Sequence, residues 1–278
     1  MFADVNGTKI YYEITGEGEP FVLIAGLGCD HTYFSFAMPY LAKLGKMIAL
    51  DLRGIGQSAK PAGRYTMELW AEDVNALLEH LGEGPAHIVG ASLGGCIAFA
   101  LADRHPDKVK SLLLSAAFAD LDRACEMNWR MRKAIVEQVG INEIMKYHVV
   151  LWTLSRDFIQ TESGWAAAQK IIHESTLNQV DPKLYKEFLD AILDFGKVLP
   201  GQEGQPNYTD KLPNMPFPTV AIVGENDILT PVSMSKKIVS LMPNAKLAVL
   251  KDCGHITFVE KPEETCRAIE DLVKGISK

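Results

Sequence analysis

The sequence predicts an α/β fold in which helices cover both faces of a mostly parallel, twisted sheet, with a helical segment inserted between two strands. Uninterrupted apolar runs of strand length recur along the 278 residues, a pattern typical of strands covered on both faces. Stretches with helical periodicity alternate with these runs, which implies right-handed crossovers between parallel strands. Residues 118–216 contain no convincing strand, and this segment is too long for an ordinary loop.

An antiparallel pair of strands is predicted at the start of the chain. Asn6-Gly7 separates two short β-rich runs, the second at 9–14, and this dipeptide is a strong hairpin signal. The next apolar runs, 21–25 and 47–50, predict two buried strands. Further strands are predicted at 87–89, 109–114, 220–223 and 247–250.

Helices are predicted where apolar residues recur at helical spacing. Residues 66–81 carry such a pattern, and Thr66 can cap the start of this helix while Gly82 can end it. A helix at 262–276 begins with a proline, a residue common in the first helical turn. Other helices are predicted at 98–104 and 233–241.

The inserted segment, residues 118–216, is rich in apolar residues at helical or near-helical intervals. Examples are Trp129, Met131, Ile135 and Val139. Prolines between 200 and 218 predict a stiff linker that returns the chain to the sheet. We therefore divide the chain into a core made of residues 1–117 and 217–278 and a helical cap made of residues 118–216.

Composition argues against several classes of function. A formal net charge of −7 disfavours nucleic-acid binding, which needs clustered lysine and arginine. The N-terminal residues lack the apolar region of a secretory signal, and no apolar run approaches the ~20 residues that span a bilayer. Five cysteines without C-x-x-C spacing are typical of free thiols in a reducing compartment. We expect a cytoplasmic protein that does not bind nucleic acid or membranes.

Ser92 lies in the sequence VGASLGGC, between a predicted strand and a predicted helix. A turn this tight needs small residues at Gly90 and Gly94, because side chains there would collide across it. Strain of this kind holds the hydroxyl exposed, and the start of the following helix favours negative charge beside it. Ser92 is therefore the candidate nucleophile.

The Gly90-x-Ser92-x-Gly94-Gly95 turn resembles the nucleophile elbow of α/β-hydrolases. The resemblance covers nearly the whole chain, because three further motifs follow in the family's order. They are Asp51-x-Arg53-Gly54-x-Gly56-x-Ser58, Gly224-Glu225-Asn226-Asp227 followed by Pro231, and Gly254-His255 followed by Glu260 and Pro262. Similarity to this family implies the α/β-hydrolase fold with an inserted helical cap, and a catalytic triad that works without a cofactor or metal.

His255 is the candidate general base, since a serine hydroxyl at its normal pKa needs a base to take its proton. It lies in a loop directly after the last predicted strand, where strand ends converge. The other histidines have less favourable positions. His148 and His173 lie in the predicted cap, where a structural or surface role is more common than contact with a substrate.

Asp227 is the candidate acid that orients the imidazole of His255. It follows the predicted strand at 220–223, the resemblance places the acid at this position, and the order Ser, Asp, His matches the family's. Glu225 is a nearby rival that spacing alone does not exclude. Asp120 and Asp122, after the strand at 109–114, form a second rival site that some family members use.

Two backbone N–H groups should stabilise the tetrahedral intermediate of acyl transfer. One is that of Leu93, directly after the nucleophile. By family similarity the other is that of Leu27, in the loop after the strand at 21–25. Many relatives carry His-Gly at this point, and here Ala25 replaces the histidine, which leaves the donor in place.

Four other residues near the predicted site have side chains that could take part in chemistry. Cys29 and Cys253 flank it, but a free cysteine is usually a small buried apolar residue, so we do not expect a catalytic thiol. Asp51 and Arg53 look like an ion pair, and we expect them to lock the loop after their strand, since the triad does not need them.

The serine at the elbow narrows the reaction. Haloalkane dehalogenases and epoxide hydrolases need a carboxylate at this position, which leaves acyl chemistry. We expect small to medium, partly apolar carboxylic esters, lactones or enol-lactones to be hydrolysed through an acyl-enzyme. The loop at 26–30 is similar to that of 3-oxoadipate enol-lactonases and related carboxylesterases.

Alternatives remain open. Carbon–carbon bond hydrolases of meta-cleavage products share the triad but commonly place Asn before the nucleophile, where this chain has Ala91. Cofactor-free haloperoxidase or perhydrolase activity uses the same residues. A ligand receptor built on the hydrolase scaffold, with partner binding through the cap, is an alternative of a different class.

Overall fold

The computed structural model describes residues 1–174, 176–195 and 208–276, and it confirms the predicted α/β fold. One sheet contains the strands β1 (Phe2–Val5), β2 (Thr8–Thr15), β3 (Pro20–Ile24), β4 (Lys46–Leu50), β5 (Ala86–Ala91), β6 (Val109–Ser115), β7 (Thr219–Gly224) and β8 (Ala245–Leu250). Their order across the sheet is β1-β2-β4-β3-β5-β6-β7-β8. The pairs β1·β2 and β2·β4 are antiparallel, and the other neighbours are parallel.

Helices occupy most connections between the strands. In the described residues they are α1 (Met38–Leu41), α2 (Met67–Leu81), α3 (Leu93–Arg104), α4 (Arg123–Val139), α5 (Glu143–Thr153), α6 (Arg156–Ile159), α7 (Glu162–Glu174), α8 (Pro182–Asp194), α9 (Tyr208–Lys211), α10 (Val232–Leu241), α11 (Thr257–Glu260) and α12 (Pro262–Ile276). None of these described helices is long and apolar enough to cross a membrane.

Alternate residues of the central strand β3 enter two separate cores, because successive side chains of a strand point to opposite faces. Val22 and Ile24 pack with residues of α2 and α3. Phe21 and Leu23 pack on the other face with residues of α12. Burial on both faces explains why the strands of this sheet appear in the sequence as continuous apolar runs.

The sheet brings three predicted site residues to one edge. The order of strands reverses at β3, which lies between β4 and β5, and binding sites in open parallel sheets form at the carboxyl ends of strands near such a switch point. β5 to β8 run parallel, so their carboxyl ends share one edge. Ser92 follows β5, Asp227 follows β7 and His255 follows β8.

The local signals for the first hairpin and for α2 are confirmed. Thr66 Oγ1 accepts a hydrogen bond from Leu69 N at 3.1 Å, and Gly82 ends the helix with a φ of 66°. Asn6 and Gly7 join β1 to β2 with φ values of 46° and 67°, as the predicted hairpin turn requires.

Helices α4 to α9 lie between β6 and β7, where a helical insertion is predicted, and we call them the helical segment. Apolar periodicity misplaces the buried face of α4: Met131 and Val139 are 42% and 50% exposed, whereas Asn128 and Arg132 are buried beside Trp129. The first part of the predicted proline-rich linker, at 200–206, lies outside the described residues. The division into core and cap stays a prediction.

Candidate active site

Ser92 lies on a strained turn between β5 and α3. Its φ of 51° and ψ of −113° lie outside the regions that residues with side chains normally adopt. The glycines around it make the turn possible: a Cβ on Gly90 would lie 2.5 Å from the carbonyl oxygen of Gly94, and a Cβ on Gly94 would collide with the carbonyl group of Ile24. The turn predicted around Ser92 is therefore present.

His255 and Asp227 are joined by a hydrogen bond, with 2.9 Å between Nδ1 and Oδ2. The second oxygen of the acid, Oδ1, accepts hydrogen bonds from the backbone N–H groups of Leu229 and Thr230 at 2.9 Å each. These bonds fix the carboxylate, so Nδ1 is the imidazole nitrogen that carries the proton. Nε2 of His255 makes no hydrogen bond within the described part of the chain and is available to accept a proton.

Thr230 is a third residue at this junction, and it is absent from the residues predicted from the sequence. Its Oγ1 lies 2.9 Å from Asp227 Oδ2, 3.0 Å from His255 Nδ1 and 3.0 Å from the carbonyl oxygen of Ala116. The side chain is fully buried. The available signal was its spacing, because an aspartate commonly binds backbone and hydroxyl groups two or three residues further on.

The Ser92 turn and the His255 loop are connected through the end of β6. Ser92 N donates to the Ser115 carbonyl at 2.8 Å, and Ser115 Oγ is hydrogen bonded to Thr257 Oγ1 at 2.8 Å. Neither Ser92 Oγ nor His255 Nε2 makes a hydrogen bond with a described residue. Such a bond is often long before a substrate binds and tightens in the complex.

The turn that begins at Gly26 lies directly against Ser92. A Cβ on Gly26 would be 3.5 Å from Ser92 Cβ, and Gly28 has the φ of 74° that the third position of this turn requires. The N–H groups of Leu27 and Leu93 donate to no described group. Two unpaired N–H groups beside a serine hydroxyl suit a developing oxyanion.

The loop that carries His255 is attached to the helical segment. His255 N donates to the Thr153 carbonyl at 2.9 Å. Glu260 accepts hydrogen bonds from Gly254 N at 3.0 Å and from Ser155 N and Oγ at 3.1 and 2.6 Å. Burial raises the pKa of Glu260, and its three hydrogen bonds oppose that effect. Both ends of this loop are thereby held in place.

The rival acids have other positions and partners. Glu225 is exposed to solvent. Asp122 caps the start of α4, and Asp120 forms an ion pair with Lys237. Of these acids and Asp227, the structure joins only Asp227 to His255 within the described residues.

The two flanking thiols lie in environments that suppress reactivity. Burial raises the pKa of Cys29 to about 12. Burial likewise raises the pKa of Cys253. Because the thiolate is the nucleophilic form, both side chains are weak nucleophiles at neutral pH. This agrees with the expectation that neither acts as a catalytic thiol.

Asp51 and Arg53 do not pair with each other, but both hold the loop after β4, as expected, through other partners. Arg53 Nη2 lies 2.6 Å from Asp73 Oδ1. Asp51 Oδ1 lies 2.7 Å from His31 Nδ1, and its Oδ2 accepts from Gln57 N at 2.7 Å. Each residue finds a partner outside the pair because both side chains are largely buried and need one.

A cavity of about 430 Å³ lies beside the turn that contains Leu27. Cys29, Tyr33 and Ile256 line one side, and Lys170 lines the other from α7. The volume suits a small to medium ligand. In the described ranges, no group of three or more histidine, cysteine, aspartate or glutamate side chains has an arrangement that could hold a metal ion.

Comparison with known proteins identifies the family. Residues 19–262 match the model of the alpha/beta hydrolase fold. The chain therefore belongs to the alpha/beta hydrolase fold family, as its motifs predict.

Named relatives have different substrates. The proline iminopeptidase of Lactobacillus helveticus (strain DPC 4571) is 28% identical, with 95% of this chain and 94% of that protein aligned. A thermophilic esterase from Thermogutta terrifontis is 25% identical with a TM-score of 0.82, covering 100% of this chain and 99% of that chain. The enol-lactonase from Burkholderia xenovorans LB400 has a TM-score of 0.86 at 24% identity, covering 99% of this chain and 100% of that chain. This similarity is one of fold.

Proposed function

We propose that this protein is a serine hydrolase that cleaves carboxylic esters, lactones or enol-lactones through an acyl-enzyme intermediate. The observation that carries the proposal is the imidazole of His255, whose Nδ1 is bound to Asp227 while Nε2 is unpaired at the sheet edge that bears Ser92. Nucleophile, base and orienting acid are the three groups that such chemistry needs.

In this mechanism Ser92 Oγ attacks the substrate carbonyl carbon while His255 Nε2 takes the hydroxyl proton. Asp227 holds the ring in the required tautomer and stabilises the imidazolium that forms. The tetrahedral intermediate collapses as His255 returns the proton to the leaving oxygen, which yields the alcohol and an acyl-Ser92 ester. Water then attacks this ester while His255 takes its proton, and the second tetrahedral intermediate collapses as His255 returns that proton to Ser92 Oγ, which releases the acid.

The Leu27 and Leu93 N–H groups would bind the oxygen that becomes negative in each tetrahedral intermediate. Both donors are unpaired before the reaction: Leu93 N–H lies at the start of α3, and Leu27 N–H lies in the turn closed by the bond from Cys29 N to the Gly26 carbonyl. The start of α3 adds its positive dipole end at the same place.

Residues 118–216 act as the cap in this proposal, and the substrate is a small to medium, partly apolar molecule. The 430 Å³ cavity between core residues and α7 supports this size; Ile256, next to His255, lines it, while Ser92, Asp227 and His255 themselves do not. The named relatives include an esterase and an enol-lactonase. We further propose a cytoplasmic location, since the five cysteines are free.

The test is a panel of 4-nitrophenyl esters of graded acyl length, run beside a γ-lactone and a vinylogous 1,5-diketone. We expect turnover above about 1 per second on at least one ester or lactone. A fluorophosphonate probe followed by peptide mass spectrometry should label Ser92. Cleavage of the diketone alone would instead make the protein a carbon–carbon bond hydrolase. Slow turnover with ligand-dependent change in the cap surface would favour a receptor.

A further inference from the structure

Arg132 is a buried cation without a counter-ion. The side chain, on α4, is 3% exposed, and its Nε and Nη2 atoms have no hydrogen-bond partner. No described carboxylate forms an ion pair with it. The neighbouring cations of the helix behave differently: Arg130 pairs with Glu126, and Lys133 pairs with Asp190. Arg132 therefore differs from its neighbours in both burial and pairing.

The guanidinium is held next to the turn that bears Leu27. It stacks on Trp129, with 4.6 Å to the ring centroid, and its side chain is hydrogen bonded to that of Tyr185. Tyr185 also packs against this turn, since a Cβ on Gly28 would lie 3.5 Å from its ring. Arg132 is also near Cys29: burial raises the pKa of that thiol, and the positive charge of Arg132 partly opposes this effect.

Two further polar side chains with unpaired buried atoms accompany Arg132. They are Asn128, one turn earlier on α4, and His148 on α5, which lack partners at Oδ1 and Nδ1. Asn128 Nδ2 lies 3.4 Å from His148 Nε2. Burial, with a smaller effect from Arg132, lowers the pKa of His148 to about 4, so the ring is neutral at pH 7.

The tautomer of His148 follows from the orientation of the Asn128 amide. In the orientation present, Nδ2 donates to Nε2, so the neutral ring carries its proton on Nδ1. Nδ1–H is then an unpaired donor. Together with Nε and Nη2 of Arg132, this makes three buried donor nitrogens and one positive charge, with no ion pair to a described carboxylate.

A structural role does not account for this arrangement. A buried charge without a partner destabilises a fold, and each unpaired donor adds to the cost. Buried polar groups are otherwise almost always paired, and unpaired or perturbed ones cluster at functional sites, where a ligand completes them. One guanidinium charge with neutral donors matches a single negative charge, which favours a carboxylate over a dianionic phosphate.

We propose that Arg132 and His148 form a subsite for a carboxylate group carried by the acyl part of the substrate. This inference rests on the proposed hydrolase function and specifies its substrate class: monoesters of dicarboxylic acids, or lactones that carry a carboxylate. Hydrolysis of such a monoester by water gives an alcohol and a dicarboxylate, and the carboxylate at the subsite is unchanged.

A pair of nearly isosteric substrates tests the subsite: 4-nitrophenyl hydrogen glutarate and 4-nitrophenyl hexanoate. We expect wild-type kcat/KM to favour the acidic ester. Arg132→Gln should lower the ratio of the two kcat/KM values about 100-fold, the loss of a charge-assisted hydrogen bond in a buried site. Arg132→Lys, which keeps the charge, should restore part of the ratio.

The matched control is Arg130→Gln, at an exposed position two residues earlier on α4. In this variant the ratio of the two kcat/KM values should stay within about twofold of wild type. A wild-type preference for the hexanoate, or an equal loss on both esters in Arg132→Gln, would overturn the subsite.

Binding separates this inference from the proposed function. Glutarate is titrated by calorimetry into Ser92→Ala and into the double variant with Arg132→Gln. We expect binding to the first and a roughly 100-fold weaker Kd for the second. If no ester is hydrolysed but this difference appears, the hydrolase proposal fails and the subsite stands. If esters are hydrolysed and glutarate binds both variants equally, the subsite is wrong.

Discussion

The imidazole Nδ1 of His255 lies 2.9 Å from Oδ2 of Asp227, although 28 residues separate the two along the chain. The acid is itself held by two backbone N–H groups, so the ring has little freedom to turn. This relationship leaves Nε2 as the imidazole nitrogen free to accept a proton. The following predictions depend on it or on the polar cluster formed by Asn128, Arg132 and His148.

Replacing Ser92 with Ala should lower kcat by roughly a millionfold on a good ester substrate, as in triad knockouts generally. The substitution removes only the Oγ atom, so the thermal midpoint should change by no more than about 2 °C. Steady-state kinetics and a melting curve check both statements. Retention of most activity would show that another residue is the nucleophile.

Asp227→Asn should reduce kcat by roughly ten-thousandfold, because an amide stabilises the wrong imidazole tautomer. Glu225→Gln, an exposed site two residues earlier, is the matched control and should keep nearly full activity. The pH dependence of kcat/KM on a chromogenic ester provides the comparison. A large loss in the glutamine variant would transfer the role of the acid to Glu225.

Thr230→Val should lower kcat by about tenfold with little change in KM, because one buried hydrogen bond that positions Asp227 and His255 is lost. Thr219→Val is the control, since that threonine is equally buried but lies at the start of β7. Equal kinetics for both variants would mean that Thr230 contributes to packing alone.

Arg132→Met should raise the free energy of unfolding by about 1 to 3 kcal/mol, since an apolar side chain replaces an unpaired buried charge. Arg53→Met is the contrasting variant. It leaves buried Asp73 without its ion-pair partner, with only the Asn6 amide bound to it, and should destabilise by about 3 to 5 kcal/mol. Urea denaturation of both proteins measures the difference. Destabilisation by Arg132→Met would indicate that the guanidinium has an unseen structural role.

Stability should fall on acidification because of His148. Its pKa is lowered to about 4 in the folded protein and is about 6.5 when unfolded, so the unfolded chain binds more protons between these values. Its contribution is complete above pH 6.5 and is lost as the pH falls towards 4. Between pH 7.5 and 5 the free energy of unfolding of the wild type should fall. Allowing for the partial exposure of the ring, His148→Gln should make this fall smaller by about 1 to 2 kcal/mol.

Urea denaturation at the two pH values checks this slope. His173→Gln, at an exposed histidine on α7, should keep the wild-type slope. An unchanged slope in His148→Gln would contradict the assignment.

The sequence was informative where local rules and chain order act together. The turn around Ser92 could be predicted because glycines on both sides are required by the collision of atoms across it. The common edge of His255 and Asp227 could be predicted because parallel strands place their carboxyl ends together. Local pattern and topology point to the same residues in these cases.

Contacts between side chains that are distant along the chain could not be predicted from the sequence. Arg53 binds Asp73 on α2 instead of Asp51, since the choice depends on which buried partner lies closest. On α4 the apolar residues Met131 and Val139 are exposed, and this hid the inward position of Arg132. The spacing of Cys125, Trp129, Arg132 and Val136 held the signal, because these residues share one helical face.

The bonds from Thr153 and Ser155 to the His255 loop have a mechanical consequence. Any movement of α5 and α6 away from the sheet would draw the loop that carries His255 with it. The helical segment is tied to the loop after β3 as well, where Thr176 Oγ1 donates to Asp30 Oδ2 at 2.6 Å, so the position of the His255 loop depends on packing far along the chain.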